Sequence, residues 1–331
     1  MNRVSKPLLE WYDAHRRILP WRENPEPYWV WVSEVMLQQT RVETGLRYFE
    51  RFIERFPTVE DLARAPLDDV LVLWSGLGYY SRARNLHKAA GIVADAGAFP
   101  TDVSGLRALP GVGEYMAAAI ASIALGQDEA TVDGNIARVM ARIHADAGGR
   151  KQMWVHARTH LPAGRAGDYN QALMDLGATI CTPRKPLCDE CPIRIACRAN
   201  QLGKPLAYPP AKEKKAVPRF DVDLTIHTAG RTVWAGRRPE TGLWSGLWAF
   251  PEVHCPFAKP LGSFKHVLSH KRLNVRVWVS SEPPPADGFA DWTAFEWMTP
   301  EELRSRGTSV VTDKCLDLYE EFDASASLSQ E

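Results

Sequence analysis

Residues 106–124 read LRALPGVGEYMAAAIASIA, and the fold turns on this stretch. Pro110, Gly111 and Gly113 break an apolar helical spacing that resumes at once on the far side. Glycine lets the chain turn sharply, and the small side chains of Ala117, Ala118 and Ala119 let the following helix pack closely. The stretch predicts helix, hairpin, helix over about 105–125. Such a turn presents backbone N–H groups and a helix N-terminus, where a phosphate oxygen can bind without regard to base sequence. Taken alone, Gly-x-Gly also fits an ordinary turn between helices.

Working outward, apolar residues recur at three- and four-residue spacing in VSEVMLQQTRVETGLRYFERFIERF (32–56) and LDDVLVLWSGLGYYSRARNLHKAAGIVADA (67–96). Breakers at Pro57, Pro66, Gly76, Gly78 and Pro100 divide the pattern into many short helices. We expect a compact all-α domain over 1–202. Residues 203–219, GKPLAYPPAKEKKAVPR, hold four prolines and five basic residues against one acidic residue and read as a linker. Beyond it the period changes to two: Val222, Leu224 and Ile226 share one face, as do Leu273, Val275, Val277 and Val279. Thr299 reads as an N-cap with Pro300 at the first helical position, and a last helix is expected over about 311–322. The second domain, 220–322, is therefore α+β, followed by a polar tail at 323–331.

A chain of 331 residues, 45% hydrophobic and 24% charged, is ordinary globular protein of about two domains. No apolar run approaches the roughly 18 residues of a membrane span, and residues 1–17 lack an apolar signal core. A soluble, cytoplasmic protein without membrane contact is expected. The net charge of zero hides an asymmetry. Residues 1–220 carry 29 Lys/Arg against 24 Asp/Glu, so the basic excess lies on the helical part.

Four of the six cysteines, Cys181, Cys188, Cys191 and Cys197, fall within 17 residues. Clustered thiols without a disulfide scaffold point to a metal centre in a reducing compartment. A zinc ribbon uses two well-separated Cys-x2-Cys pairs, and only one such pair is present. Four unequally spaced thiolates suit a cubane iron–sulfur cluster.

Hairpin and cysteine spacing together resemble the endonuclease III and MutY superfamily of DNA glycosylases. The resemblance implies a four-iron, four-sulfur cluster of structural role on loop 181–197, and hairpin contacts to the DNA backbone through Gly111 and Gly113. Arg184, Lys185, Arg194 and Arg198 lie beside the cysteines and could touch phosphate or offset thiolate charge. PYWVWVSEVMLQQT (27–40) is similar to the MutY segment whose glutamate is the general acid, which implies that role for Glu34. Its apolar flanks would raise its pKa and keep it protonated near neutral pH. The same likeness points to Asp133 in TVDGNIARVMAR. As an N-cap it is held in place, and it can face positive charge developing on a deoxyribose carbon. Asn135 matches an active-site position that orients water or the carboxylates.

In the bifunctional relatives a lysine two residues after the hairpin forms a Schiff base with the sugar and cuts the strand. Tyr115 stands there, and no lysine occurs between Lys88 and Lys151. A phenol forms no imine, so a monofunctional glycosylase is expected. The target base must leave the stack before its glycosidic bond is reached. By resemblance, Trp21, Arg22, Leu37 and Gln171 contact the extruded adenine. Gln39 and Tyr79 wedge beside the retained lesion base, and Arg82 and Arg84 meet phosphates. ETGLWSGLWAFPE (240–252) resembles the MutY C-terminal domain, similar to the MutT fold. Pro251 is followed by EVHCPFAKPLGSF, without the glutamate array that holds magnesium in a Nudix hydrolase, so recognition is expected there. HVLSHKR (266–272) matches the family's Phe-Ser-His loop with Ser269 and His270 retained and Leu268 in place of Phe. The resemblance implies a monomer associated with the nucleoid, acting on double-stranded DNA with adenine opposite 8-oxoguanine or guanine.

Overall fold

The computed structural model describes residues 3–211, 216–253, 255–284 and 291–328, with side chains to residue 325. Part of the expected linker (212–215) and the end of the expected tail (329–331) lie outside them. The chain forms two compact units. One comprises Met1–Ala63 and Lys88–Glu213; the other joins Arg64–His87 to Lys214–Glu331.

The first unit is helical. Helix Pro27–Leu37 starts with proline in its first turn after an extended Glu26 and buries residues all round: Tyr28, Val30, Trp31, Val32, Glu34, Val35 and Met36. An apolar circumference makes a helix central rather than superficial, and this brings Glu34 inside. The hairpin joins helices Val103–Ala108 and Glu114–Ile123. Asp102 caps the first, accepting from Gly105 N at 2.7 Å. Gly111 takes a left-handed φ of 79°, whereas Gly113 is extended (φ −88°, ψ 179°) and serves as N-cap of the second helix. Only Gly111 therefore needs glycine for its backbone. At Gly113 a Cβ would meet nothing within 4 Å, so what glycine provides there is an open surface.

Helix Gly134–His144 is capped by Asp133, whose Oδ1 accepts from Ile136 N at 2.7 Å. Such a cap stabilises by about 1 kcal/mol. Its inner face (Ile136, Val139, Met140) packs with Leu8, Tyr12, Tyr169, Leu173 and Leu176 in one core. Each fully buried aliphatic side chain contributes roughly 1.5–3 kcal/mol there. Helix Ala166–Thr179 crosses this helix at Gly177, where a Cβ would stand 2.6 Å from Asn135 Cβ. That close approach fixes where Asn135 sits.

The second unit is built on one sheet. Its strands are β1 (Arg219–Ala229), β2 (Thr232–Arg237), β3 (Trp248–Ala249), β4 (Lys259–Val267), β5 (Arg272–Ser280) and β6 (Ala294–Met298). The order is β3-β2-β1-β5-β4, with β6 pairing β2. β1 and β5 run parallel, Ile226 opposite Val279. On β5 buried Leu273, Val275 and Val277 alternate with exposed residues, as a half-covered strand requires. β1 departs from alternation: Leu224, Thr225, Ile226 and His227 are all buried, because the strand is central. Thr299 forms a full capping box with Glu302 ahead of helix Pro300–Arg304. The last helix spans Val310–Leu328, six residues beyond the expected end at Phe322. Residues 323–328 contain neither glycine nor proline, so nothing stops the helix where a tail was expected.

Candidate active site

A cavity of about 490 Å³ in the first unit gathers Glu34, Tyr115, Asp133 and Asn135. Its wall also includes Trp21, Arg22, Leu37, Gln39 and Gln171. Glu34 is buried, and Tyr115 Oη donates to its Oε2 at 2.6 Å. Burial pushes the Glu34 carboxyl up to about 7; the Tyr115 hydrogen bond opposes the rise and the nearby Asp133 adds to it. The Tyr115 hydroxyl, buried beside two carboxyls, is held well above its ordinary value. Burial raises the Asp133 pKa as well, against backbone donors from Ile136 and Asn135 that favour its ionised form. The cavity thus sets an acid that titrates near neutrality beside a carboxylate tied to a helix N-terminus.

Trp21 is buried with its ring edge-on to Phe49, centroids 4.9 Å apart. Arg22 is held by Asp175 through Nη1 (2.7 Å) and Nη2 (3.0 Å). Its Nε is buried with no partner among the described residues. Arg17 Nε also donates to Asp175, at 2.8 Å. Burial alone would raise the Asp175 carboxyl, but the two guanidinium groups more than offset it and hold it below its ordinary value. Sequence reading missed Asp175, Arg17 and Arg150. Asp175 had a signal, since it lies four residues after Gln171 on one helix face. Arg150, which lines the cavity and donates to Val132 O at 3.1 Å, had none.

The four clustered cysteines line one small cavity of the first unit, with Arg142, Ile180 and Leu187. Arg142 Nη1 donates to Cys181 Sγ (3.2 Å), Cys181 O (3.2 Å) and Thr182 O (2.8 Å). Arg138, one turn earlier, donates to Cys181 O (2.9 Å), Gly177 O (2.7 Å) and Asn135 Oδ1 (2.8 Å). Four sulfurs around one void, with a buried cation beside them, are the donor set of a thiolate-held cluster, so the residues fit such a group. Helix Gly134–His144 carries Asp133 and Asn135 at one end and grips the cysteine loop further along.

The second unit has its own cavity, about 950 Å³. Tyr79 and Tyr80 line it from one segment; Trp244, Leu268, Ser269 and His270 line it from others. Tyr79 takes a left-handed φ of 50° and is 41% exposed, its ring beneath the Arg82 guanidinium at 5.5 Å. Ser269 and His270 are exposed on the loop between β4 and β5. Of the two residues expected to wedge beside the lesion base, Gln39 lines the first cavity and Tyr79 the second. Arg82 and Arg84, expected at phosphates, are engaged within the protein. Arg82 donates to Gly78 O at 3.1 Å, and Arg84 donates to Ser245 through both Nη atoms.

A helix–hairpin–helix turn, a buried acid and a capped aspartate occur together in the first unit, and comparison with known proteins gives the class, a base-excision DNA repair protein. Residues 32–159 match the HhH-GPD superfamily of base excision DNA repair proteins, residues 181–194 the iron–sulfur binding domain of endonuclease III, and residues 224–318 the NUDIX domain. The chain is 35% identical to adenine DNA glycosylase of Rattus norvegicus, over 95% of this chain and 77% of the rat protein. It is 34% identical to that of Homo sapiens, over 95% of this chain and 73% of the human one. A thermostable thymine-DNA glycosylase superposes with a TM-score of 0.55 at 30% identity, covering 60% of this chain and 95% of that one. The chain belongs to the adenine DNA glycosylase family and is a DNA N-glycosylase. An iron–sulfur-binding loop and a Nudix-like C-terminal domain complete it. Among the described residues no helix is long and apolar enough to cross a membrane.

Proposed function

We propose that the protein is a monofunctional adenine glycosylase acting on duplex DNA in which adenine faces 8-oxoguanine or guanine. The observation that carries this reading is the buried Glu34–Tyr115 hydrogen bond in a cavity shared with Asp133. Glu34, protonated, gives its proton to N7 of the extruded adenine. The C1′–N9 bond then breaks and the electron pair leaves with the base. Asp133 faces the oxocarbenium ion; water adds to C1′, and the Glu34 carboxylate takes up the released proton. Asn135, held by Arg138 and by the close approach of Gly177, orients this water. Arg22, pinned to Asp175 through both Nη atoms, is held in the wall of this pocket. Trp21, Leu37, Gln39 and Gln171 wall the pocket.

Cys181, Cys188, Cys191 and Cys197 hold a single four-iron, four-sulfur cluster, which supplies metal–thiolate cross-links that order the loop. Gly111 and Gly113 meet phosphate through backbone N–H groups, and the bare surface at Gly113 leaves room for the strand. Tyr79, Ser269 and His270 meet the lesion base in the second cavity, where Leu268 supplies the apolar contact. In sequence the helical glycosylase domain covers 1–202 and the lesion-recognition domain 220–322, with residues 64–87 of the former belonging to the same compact unit as the latter. The enzyme acts as a cytoplasmic, nucleoid-associated monomer.

The test is release of adenine from duplexes with adenine opposite 8-oxoguanine, guanine or thymine. Release from the first two is expected, with strand breakage only after added alkali. Breakage without alkali would contradict the role given to position 115, and equal release opposite thymine would contradict the specificity.

A further inference from the structure

Arg84 has the composition of a phosphate contact and the geometry of something else. Its Nη1 donates to the backbone oxygen of Ser245 and its Nη2 to the Ser245 hydroxyl. Ser245 is itself buried. The chain folds closely beneath the guanidinium: Gly246 has a φ of 69°, and a Cβ there would stand 2.9 Å from Arg84 Nη1. Two residues before Gly246, Trp244 takes a left-handed φ of 53° and sets its ring 6.2 Å from that of His266. His266 lies on β4, which leads directly into Leu268, Ser269 and His270. At the other end, Arg84 N donates to Tyr80 O (3.1 Å) and Arg82 N to Tyr79 O (2.9 Å), so the first turn of helix Ser81–Ala96 is bonded to the tyrosine segment. A continuous set of contacts thus runs around the second cavity from Tyr79 to the Ser-His loop, and Arg84 closes it.

We propose that Arg84 is a positioning residue that latches the Tyr79 segment to the Trp244–Ser245–Gly246 turn, and so sets the width of the lesion pocket and the preference for 8-oxoguanine over guanine. This rests on the reading of that cavity as the lesion pocket. A planar fork is pre-organised to meet two acceptors at once, an advantage that a lysine ammonium on a flexible stem lacks. A phosphate contact, by contrast, is largely kept when lysine replaces arginine, and losing it lowers the salt dependence of DNA affinity by about one charge.

The experiment compares single-turnover adenine release opposite 8-oxoguanine and opposite guanine for the parent, Arg84→Lys, Ser245→Ala and the double variant. DNA affinity is measured across salt concentration in parallel. The latch predicts that the ratio of the two rates falls about ten-fold in Arg84→Lys. Ser245→Ala, which keeps the backbone acceptor, should lower the ratio about three-fold. The double variant should be no worse than Arg84→Lys, because both changes act through one contact. The slope of affinity against salt should match the parent's throughout. Ser245→Ala removes one hydroxyl only, so the question stands even where an Arg84 variant folds poorly. A parental ratio in Arg84→Lys, or equal losses on both duplexes, overturns the latch alone. A parent that does not distinguish the two duplexes overturns the lesion-pocket reading, and the latch with it.

Discussion

Replacing Tyr115 by Phe should move the alkaline limb of adenine release to higher pH without abolishing it. Glu34 acts in its protonated form, so the rate falls as pH rises through its pKa, about 7. At pH 8 such a group is protonated in about one molecule in eleven. The Tyr115 hydroxyl donates to Glu34 Oε2 at 2.6 Å and so favours the ionised form. A hydrogen bond to a charged group contributes roughly 1.5–3 kcal/mol, and 1.36 kcal/mol corresponds to one pKa unit. Part of that bond survives with the neutral acid, so an upward shift of about one unit is expected. The protonated fraction at pH 8 would then rise to about one half. The assay is single-turnover release from an adenine:8-oxoguanine duplex between pH 5.5 and 9, fitted for the midpoint of the limb rather than its height. Removal of the phenol also disturbs the pocket, and the midpoint separates the two effects. A midpoint that stays put or moves down, or the same limb persisting in Glu34→Gln, would refute the assignment of the titrating acid.

Glu34→Gln should be inactive yet more stable above neutrality. The Glu34 pKa is raised in the folded state, from 4.5 to about 7. Between those values the folded chain binds the extra proton, so stability falls as pH rises from about 4.5 to about 7, by about 3 kcal/mol in all. Denaturation of the two proteins at pH 5 and pH 8 should show the variant gaining only at the higher pH; an equal difference at both would count against a charged, buried Glu34. Asp175→Asn strips Arg22 and Arg17 of their shared buried carboxylate, and breaking such a pair costs about 3–5 kcal/mol. Urea melts should register that loss together with a raised KM for the mispaired duplex, and a variant as stable as the parent would show the pair to be ornamental. Cys191→Ser should lose bound iron and DNA affinity together, measured by metal analysis and binding isotherms. Full affinity in an iron-free sample would remove the structural role of the cluster.

Much of this protein is written in short-range pattern. The hairpin at 106–124, the caps at Asp102, Asp133 and Thr299, the period-two strands and four thiols within 17 residues each depend on neighbours a few positions apart. Local preferences decide such features, because the bonds that satisfy them close within a turn of chain. The extent of the last helix was less legible, since a run of small and polar residues without glycine or proline reads equally as tail or helix. Residue types at the site were legible through the family likeness, yet their partners were not. Tyr115 meets Glu34 across 81 positions, Arg22 meets Asp175 across 153, and Arg84 meets Ser245 across 161.

What the sequence alone determined, then, was which elements form and which chemical groups they carry. What only the tertiary structure decided was where the long side chains point and which distant partners meet the buried acid. An arginine has many rotamers of similar energy until a distant segment brings an acceptor to it, as Ser245 does for Arg84. A carboxyl keeps its ordinary pKa until packing on every side removes its water, as it does around Glu34. Both conditions are completed by contacts between segments far apart in the chain; the apolar flanks of Glu34 announce its burial, but no local pattern names its partners or those of Arg84.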